Sequence, residues 1–321
     1  MAQPRKILKM NIGLNLGNQD CKNVSDNIKD SYSSLATYDY KNGMNKEDYK
    51  QDPNKILIND ITCIVGIGNE SYSDFKFRDD DEIKTLACFG VMRMLALKDN
   101  CEDIDIIELD LCVGLPISEY KNRENHQKLN NIFKGSLKVN YLNSSAEIRF
   151  NKLIIVPEGF AYYAAYKEEK EYDKYRKVLL LDFGSRTIDS VDIINGTALK
   201  PTSTPDIGTI HLMDKMREEG INLENVEIDE ILKTGSYRVG NIEYHKADYN
   251  KIIQRYAKSA HQKITQLYGD LSSFQKIIIF GGGAYLVGEI FLEYYPGIVE
   301  IVEDPVFANA RAYYQLSYLP E

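Results

Sequence analysis

Three short stretches of the chain have residue types and spacings suited to phosphate chemistry. In "IGLNLGNQDCK" an apolar run reaches Asn15, then one apolar residue, Gly17, and the polar series Asn18, Gln19, Asp20 and Lys22. In "LLLDFGSRTID" an apolar run reaches Asp182, then Phe183, Gly184, Ser185, Arg186 and Thr187. In "IIIFGGGAYL" a third apolar run ends at Gly281, Gly282 and Gly283, followed by Ala284 and Tyr285. Glycine permits positive φ at Gly17 and Gly184 and lets the backbone approach a ligand closely. Successive N–H groups in such turns form a nest for an anion. Ser185 and Thr187 add hydroxyl donors, and Lys22 can reach a phosphate as a point charge. The bare triplet leaves room for a flat ligand, and the helix start behind it favours negative charge. A single D-x-G turn is a common hairpin connection. Two such hairpins, one opening each half of the chain, suggest a duplicated two-lobed architecture.

The elements that must hold these residues follow from the hydrophobic pattern. Residues 5–24 read as strand, tight turn and return strand, and 25–60 as polar and Tyr-rich with few apolar anchors. Paired strands are predicted over 55–68. "DDDEIKTLACFGVMRMLALK" reads as a helix, with acids at its N-terminus and Ile83, Leu86, Ala87, Val91, Met94 and Leu95 at helical spacing. "IIELDLCVGLP" is a strand stopped by Gly114 and Pro116. A polar helix over 118–133 and strands near 137–142 and 146–156 follow. "PEGFAYYAAYKEEKEYDKYRK" reads as one helix with a solvated, charged end. In the second half, helices are predicted near 208–219, 227–234 and 248–268, with a last one in "DPVFANARAYYQLSYL" that has Pro305 in its first turn.

The bulk numbers set the class. The chain has 321 residues, long enough for two lobes, and 43% hydrophobic and 27% charged residues are ordinary for a soluble globular protein. A formal charge of −9 argues against direct, non-specific DNA binding. Cys21, Cys63, Cys88, Cys101 and Cys112 form no C-x-x-C pair, which points to reduced, buried thiols and a cytoplasmic location. His126, His211, His245 and His261 lie at no zinc spacing. "MAQPRKILKM" lacks a secretory h-region, and no run of about 18 apolar residues predicts a membrane span.

The constellation resembles the actin-like ATPase superfamily, which also holds sugar kinases and the large heat-shock chaperones. Within it the chain looks most like the ParM-type plasmid segregation proteins. The anchors are "IGLNLGNQDCK", "VGLPISEY", "IVPEGFAYY", "LLLDFGSRTID", "IIIFGGGAYL" and "DPVFANARAYY". Of these, "GLPISEY" and "FANARAYY" are usually missing from sugar kinases and chaperones. The resemblance implies an α/β, actin-like two-lobed fold, with a ribonuclease-H-like core in each lobe and ATP with Mg²⁺ in the interlobe cleft. It implies a first lobe of 1–170, with core 1–28 and 83–170 and small subdomain 29–82, on which the helix of 304–321 packs back. The second lobe is 171–303, with core 176–207 and 271–303 and small subdomain 208–270. By resemblance, Gly17 to Asp20 and Lys22 form the first phosphate loop. Asp182, Gly184, Ser185, Arg186 and Thr187 form the second, Arg186 replacing a residue that is more often small. Gly281 to Tyr285 lie under the adenosine. The helix after Gly208 carries a ribose-contacting pair at Arg217 and Glu218. Glu158 falls where the family orients the attacking water.

At Asn15 the family usually has an aspartate that holds a water of the Mg²⁺ shell. An amide oxygen still accepts that hydrogen bond but adds no charge, and hydrogen bonds to charged groups are stronger by ~1 kcal/mol. Nucleotide binding is expected to survive, with slow hydrolysis and a raised Mg²⁺ requirement. Asp182, Asn15 and Glu158 are the expected catalytic and metal-handling residues, acting on Mg²⁺ through water. The implied function is an ATPase, or a GTPase on the same site, that polymerises head to tail. It moves plasmids through a DNA-binding adaptor on centromere DNA, without membrane. Alternatives on the same fold are a cell-shape or pilus-type actin homologue and a small-molecule kinase. No sugar-binding motif supports the kinase, and no amphipathic N-terminus supports the membrane-bound homologues. A chaperone would need a further substrate-binding domain.

Overall fold

The computed structural model describes residues 4–17, 19–38, 48–66, 79–98, 104–199 and 201–320. The chain divides into unit 1, residues 1–166 with 309–321, and unit 2, residues 167–308.

Unit 1 is built on a nine-stranded sheet. Its strands are β1 (Ile7–Leu16), β2 (Asp20–Ser25), β3 (Ile28–Ser33), β4 (Ala36–Tyr38), β5 (Lys55–Ile58), β6 (Ile61–Val65), β7 (Ile106–Leu115), β8 (Ser136–Tyr141) and β9 (Ser144–Pro157), in the order β3-β2-β1-β7-β9-β8-β5-β6-β4. The first three form an antiparallel meander, and β1, β7 and β9 run parallel. Alternation along β1 sends Met10, Ile12, Leu14 and Leu16 into the core. They pack with α1 (Asp80–Leu97), whose predicted apolar residues are all buried and whose N-cap, Asp79, accepts from Glu82 N–H at 2.6 Å.

The polar helix predicted over 118–133 is two helices, α2 (Ile117–Tyr120) and α3 (Arg123–Ile132). Asn122 separates them because its side chain caps α3, accepting from Glu124 N–H at 2.9 Å. The long helix read from Pro157 also stops early, as α4 (Phe160–Tyr166). Beyond it no apolar stripe continues; Glu171 turns left-handed at φ 54°, and Tyr172 is buried, donating to Glu300 at 2.6 Å. β3 and β4 form in the segment read as polar and Tyr-rich with few apolar anchors, and Tyr32 is its buried anchor.

Unit 2 repeats the core order. β10 (Lys177–Phe183), β11 (Ile188–Ile194) and β12 (Thr197–Ala198) form a meander, and β13 (Thr202–Thr204) pairs with β11. β16 (Lys276–Phe280) and β17 (Val299–Ile301) run parallel to β10, giving β12-β11-β10-β16-β17. This matches β3-β2-β1-β7-β9, so each unit carries the same meander-plus-parallel core. Around it lie α5 (Thr209–Glu218), α6 (Asn225–Thr234), α7 (Asn250–Tyr268) and α8 (Ala284–Tyr294). A hairpin of β14 (Ser236–Val239) and β15 (Ile242–His245) separates α6 from α7 and was not predicted. The last helix, α9 (Ala308–Leu316), seats its unit 1 residues on β1 and β7. A Cβ on Gly13 would stand 2.1 Å from Ala310 O, and one on Gly114 2.0 Å from the Tyr313 hydroxyl.

Four cysteines, Cys21, Cys63, Cys88 and Cys112, are free and buried as expected; Cys101 lies outside the described residues. Burial pushes the Cys88 thiol up to about 12. Among the described residues no helix is long and apolar enough to cross a membrane.

Candidate functional site

In unit 1 the first turn closes the β1–β2 hairpin, with Asn15 opposite Lys22 and Leu16 opposite Cys21. Gly17 is not left-handed; it is needed because a Cβ there would lie 2.5 Å from Asp20 O. Gly184 likewise lacks positive φ, and a Cβ there would meet Thr187 O at 3.1 Å. Close approach, not backbone handedness, therefore selects glycine at Gly17, while a Cβ at Gly184 would be only a tight fit. Lys22 Nζ folds back and donates to Asp20 O at 3.2 Å, while Ser34 N–H holds Gln19 O at 3.1 Å. Asn15 Oδ1 is buried without a hydrogen-bond partner among the described residues. Asn18 lies outside the described residues.

Glu158 sits in the turn from β9 into α4. Its N–H donates to Leu115 O, and its carbonyl accepts from Phe160 N–H, both at 2.8 Å. Gly159 then turns the chain at φ 75°. The half-buried Glu158 and Asn15 thus both stand at the carboxyl ends of parallel strands, where open α/β sheets hold their ligands.

In unit 2 the second turn and the glycine triplet are built as one piece. Asp182 is the penultimate residue of β10, opposite Asp189 on β11 and beside Phe280 on β16. Gly281 has φ 89°, and a Cβ on it would stand 2.3 Å from Asp182 Oδ1, so the buried carboxylate rests on the Gly281 backbone. Gly281 N–H donates to Pro305 O at 2.9 Å and Gly283 N–H to Phe183 O at 2.8 Å. Gly282 differs: it is exposed, and a Cβ on it would meet nothing within 4 Å. The turn of residues 184–187 is closed by Gly184 N–H to Thr187 O at 3.0 Å. It is stapled to α5: Gly208 N–H, Thr209 N–H and Ile210 N–H donate to the carbonyls of Arg186, Gly184 and Ser185 at 3.1, 3.2 and 2.9 Å. Gly208 is required there, since a Cβ would lie 2.2 Å from Ser185 O.

The two residues of the expected ribose pair each hold protein partners in this structure. Arg217 Nε donates to Leu223 O at 3.0 Å, and its other nitrogens hold Asp214 and Asn225. Glu218 is exposed and pairs with Lys215 at 2.8 Å.

Two features had no signal strong enough to read. Tyr285, 60% exposed, borders a groove of about 480 Å³ between α7 and α8, with Ile253, Ala257 and Ile290 in its lining and Lys258 and Glu289 among its polar groups. Nothing in α7 carries a motif; only its proximity to α8 reveals the groove. Asp189 is 7% exposed, and burial holds its carboxyl above the usual carboxylate range. The alternation of Asp182 and Asp189 across one turn was the available hint. Among the described residues no three His, Cys, Asp or Glu side chains cluster as metal ligands.

Residues 13–160 match the family model described as the N-terminal domain of actin-like proteins. No curated protein matches the chain in sequence. Solved structures match over almost all of it. A 15-stranded ParM filament from Clostridium botulinum has 20% identity and a TM-score of 0.70, covering 97% of this chain and 99% of that one. The actin-like protein Alp7A has 15% identity and a TM-score of 0.75, covering 97% and 96%. An archaeal actin homologue in complex with ADP has 15% identity and a TM-score of 0.74, covering 96% and 99%. With the repeated sheet order in its two units, the chain has the actin-like fold, and its residues 13–160 match the family of actin-like N-terminal domains.

Proposed function

We propose that the chain binds ATP with Mg²⁺, hydrolyses it slowly, and assembles into filaments of its own copies. The observation that carries this reading is the unit 2 turn: Asp182 braced on Gly281, residues 184–187 stapled to α5, and Gly282 left open beside them. The unit 1 turn supplies a second glycine cradle with an orphaned acceptor, Asn15 Oδ1. A buried acceptor without a donor fits a hydrated cation, because Mg²⁺ keeps several waters and those waters donate. Bound to the phosphates, Mg²⁺ neutralises charge that develops in phosphoryl transfer.

The chain's own groups then have distinct tasks. The turns of residues 17–22 and 184–187 take phosphate through backbone N–H groups and the Ser185 hydroxyl. Asn15 and Asp182 accept hydrogen bonds from metal-bound water. Glu158 accepts a hydrogen bond from the attacking water and aims it. The bare Gly282 and the groove beside Tyr285 receive the base.

Filament assembly is supported by the neighbouring fold of a ParM filament, and nucleotide binding by that of an actin homologue with ADP. A head-to-tail contact is heterologous and gives an open polymer. We extend the reading to plasmid segregation through a DNA-binding adaptor, on the "GLPISEY" and "FANARAYY" resemblance. The formal charge of −9 favours such indirect contact with DNA. The test is right-angle light scattering over a concentration series, before and after Mg-ATP and Mg-GTP. A nucleotide-dependent rise above a threshold concentration is expected, decaying as nucleotide is consumed. Bound nucleotide with no rise at any concentration refutes the filament.

A further inference from the structure

Asp189 is an unusual residue for its place. It lies on β11, an interior strand of the unit 2 sheet, directly opposite Asp182, so the two carboxyls share one face. It has no ion pair among the described residues, and its Oδ1 is buried without a hydrogen-bond partner among them. A buried carboxyl without an ion pair and with one oxygen unsatisfied is costly. Its neighbour across β13, Ser203, also hydrogen-bonds the carboxyl through its side chain. Its other oxygen, Oδ2, accepts from Thr187 Oγ1 at 3.2 Å. Thr187 is the last residue of the second phosphate turn, and its carbonyl already closes that turn on Gly184 N–H.

A threonine hydroxyl has one hydrogen and two lone pairs. Once the hydrogen goes to Asp189, only lone pairs remain for a ligand. We propose that Asp189 is a positioning residue: by taking the Thr187 hydrogen it makes Thr187 an acceptor for metal-bound water and not a donor to phosphate. This rests on the phosphate reading of the turn, and it reverses the donor role expected of Thr187 from the sequence.

The experiment compares ATP affinity in excess Mg²⁺ and in EDTA, with a melting curve for each protein. The variants are Thr187→Val, Thr187→Ser, Asp189→Leu, Asp189→Asn and the Thr187→Val/Asp189→Leu pair. Thr187→Val and Asp189→Leu are each expected to weaken Mg-ATP binding about fivefold, the worth of one hydrogen bond, and to leave binding in EDTA within about twofold. The pair is expected to be no worse than either single change. Thr187→Ser and Asp189→Asn, which keep a donor and an acceptor, are expected to bind like the wild type. Asp189→Leu is expected to melt no lower than the wild type, whereas a purely structural Asp189 predicts a lower melt with unchanged Mg-ATP affinity. Equal losses with and without Mg²⁺ would make Thr187 a phosphate donor and overturn the inference alone. Should Asp189→Leu not fold, Thr187→Val breaks the same bond from the other side and decides the matter. A wild type that binds ATP in neither condition overturns the phosphate reading itself, and the inference with it.

Discussion

The glycine triplet separates backbone from ligand requirements within three consecutive residues. Gly281 lies at φ 89°, and an added Cβ would stand 2.3 Å from Asp182 Oδ1 and 2.7 and 2.8 Å from the O and N of Phe183. Left-handed backbone costs an L-residue about 1–2 kcal/mol, and forcing a methyl into packed surroundings about 1–3 kcal/mol. The Phe183 backbone is part of β10 and cannot swing aside. Gly281→Ala is therefore expected to destabilise unit 2 by ~3 kcal/mol, a fall in melting temperature of about 6–12 °C, and to push the Asp182 carboxylate out of place. Gly282→Ala is the internal control. Its Cβ would meet nothing within 4 Å, so stability is expected to stay within about 0.5 kcal/mol of the wild type. If the nucleotide lies on that bare backbone, the same methyl lowers ATP affinity about tenfold. Calorimetric melts and equilibrium ATP titrations on both variants make the comparison. Two results refute the reasoning: Gly281→Ala melting with the wild type, or Gly282→Ala binding ATP as the wild type does.

Asn15→Asp is expected to raise ATP turnover about fivefold and to lower the Mg²⁺ concentration at half-maximal rate, since a charged acceptor is stronger by ~1 kcal/mol; unchanged values in a phosphate-release assay would remove Asn15 from the mechanism. Glu158→Ala is expected to abolish turnover with ATP affinity within a few-fold, and loss of binding instead would make Glu158 structural. His261 stacks on Tyr294 at 4.7 Å, and its Nε2 lies 3.0 Å from the Tyr295 hydroxyl; burial holds its pKa below the ordinary value. Its folded form binds fewer protons than the unfolded chain, so stability is full above about pH 6.5 and falls as acid protonates the unfolded imidazole first. Denaturant midpoints from pH 7.5 to 5.5 are expected to fall more for the wild type than for His261→Phe; parallel profiles would show that the ring does not contribute.

Much of the fold was readable locally. The apolar runs before Asn15, Asp182 and Gly281, and the helical spacing of α1, are short-range patterns, and their elements follow from strand and helix periods alone. The two Asn/Asp-x-Gly hairpins announced the repeated core order because each turn directly follows the strand it terminates. Where local pattern competed with a contact from elsewhere, it was less informative. A continuous helix past Tyr166 loses to the burial of Tyr172 on Glu300, and one across Asn122 loses to a side-chain cap. The β14–β15 hairpin has little apolar alternation to reveal it, since most of its side chains are exposed or half-buried.

The same division holds for the site. Residue types in the turns were determined by the sequence: glycines, hydroxyls, carboxylates and the amide at Asn15 are all visible there. Tertiary structure alone decided which glycine serves which purpose. Gly13 and Gly114 admit α9, Gly208 admits the Ser185 carbonyl, Gly281 admits Asp182, and of the triplet Gly282 alone faces open space. It also committed Arg217 to Leu223 and Asn225, brought α7 beside Tyr285, and paired Asp189 with Thr187. The reason is physical: turn and strand propensities depend on neighbours in the chain, whereas a Cβ clash or a hydrogen-bond direction depends on groups that only folding brings within 4 Å.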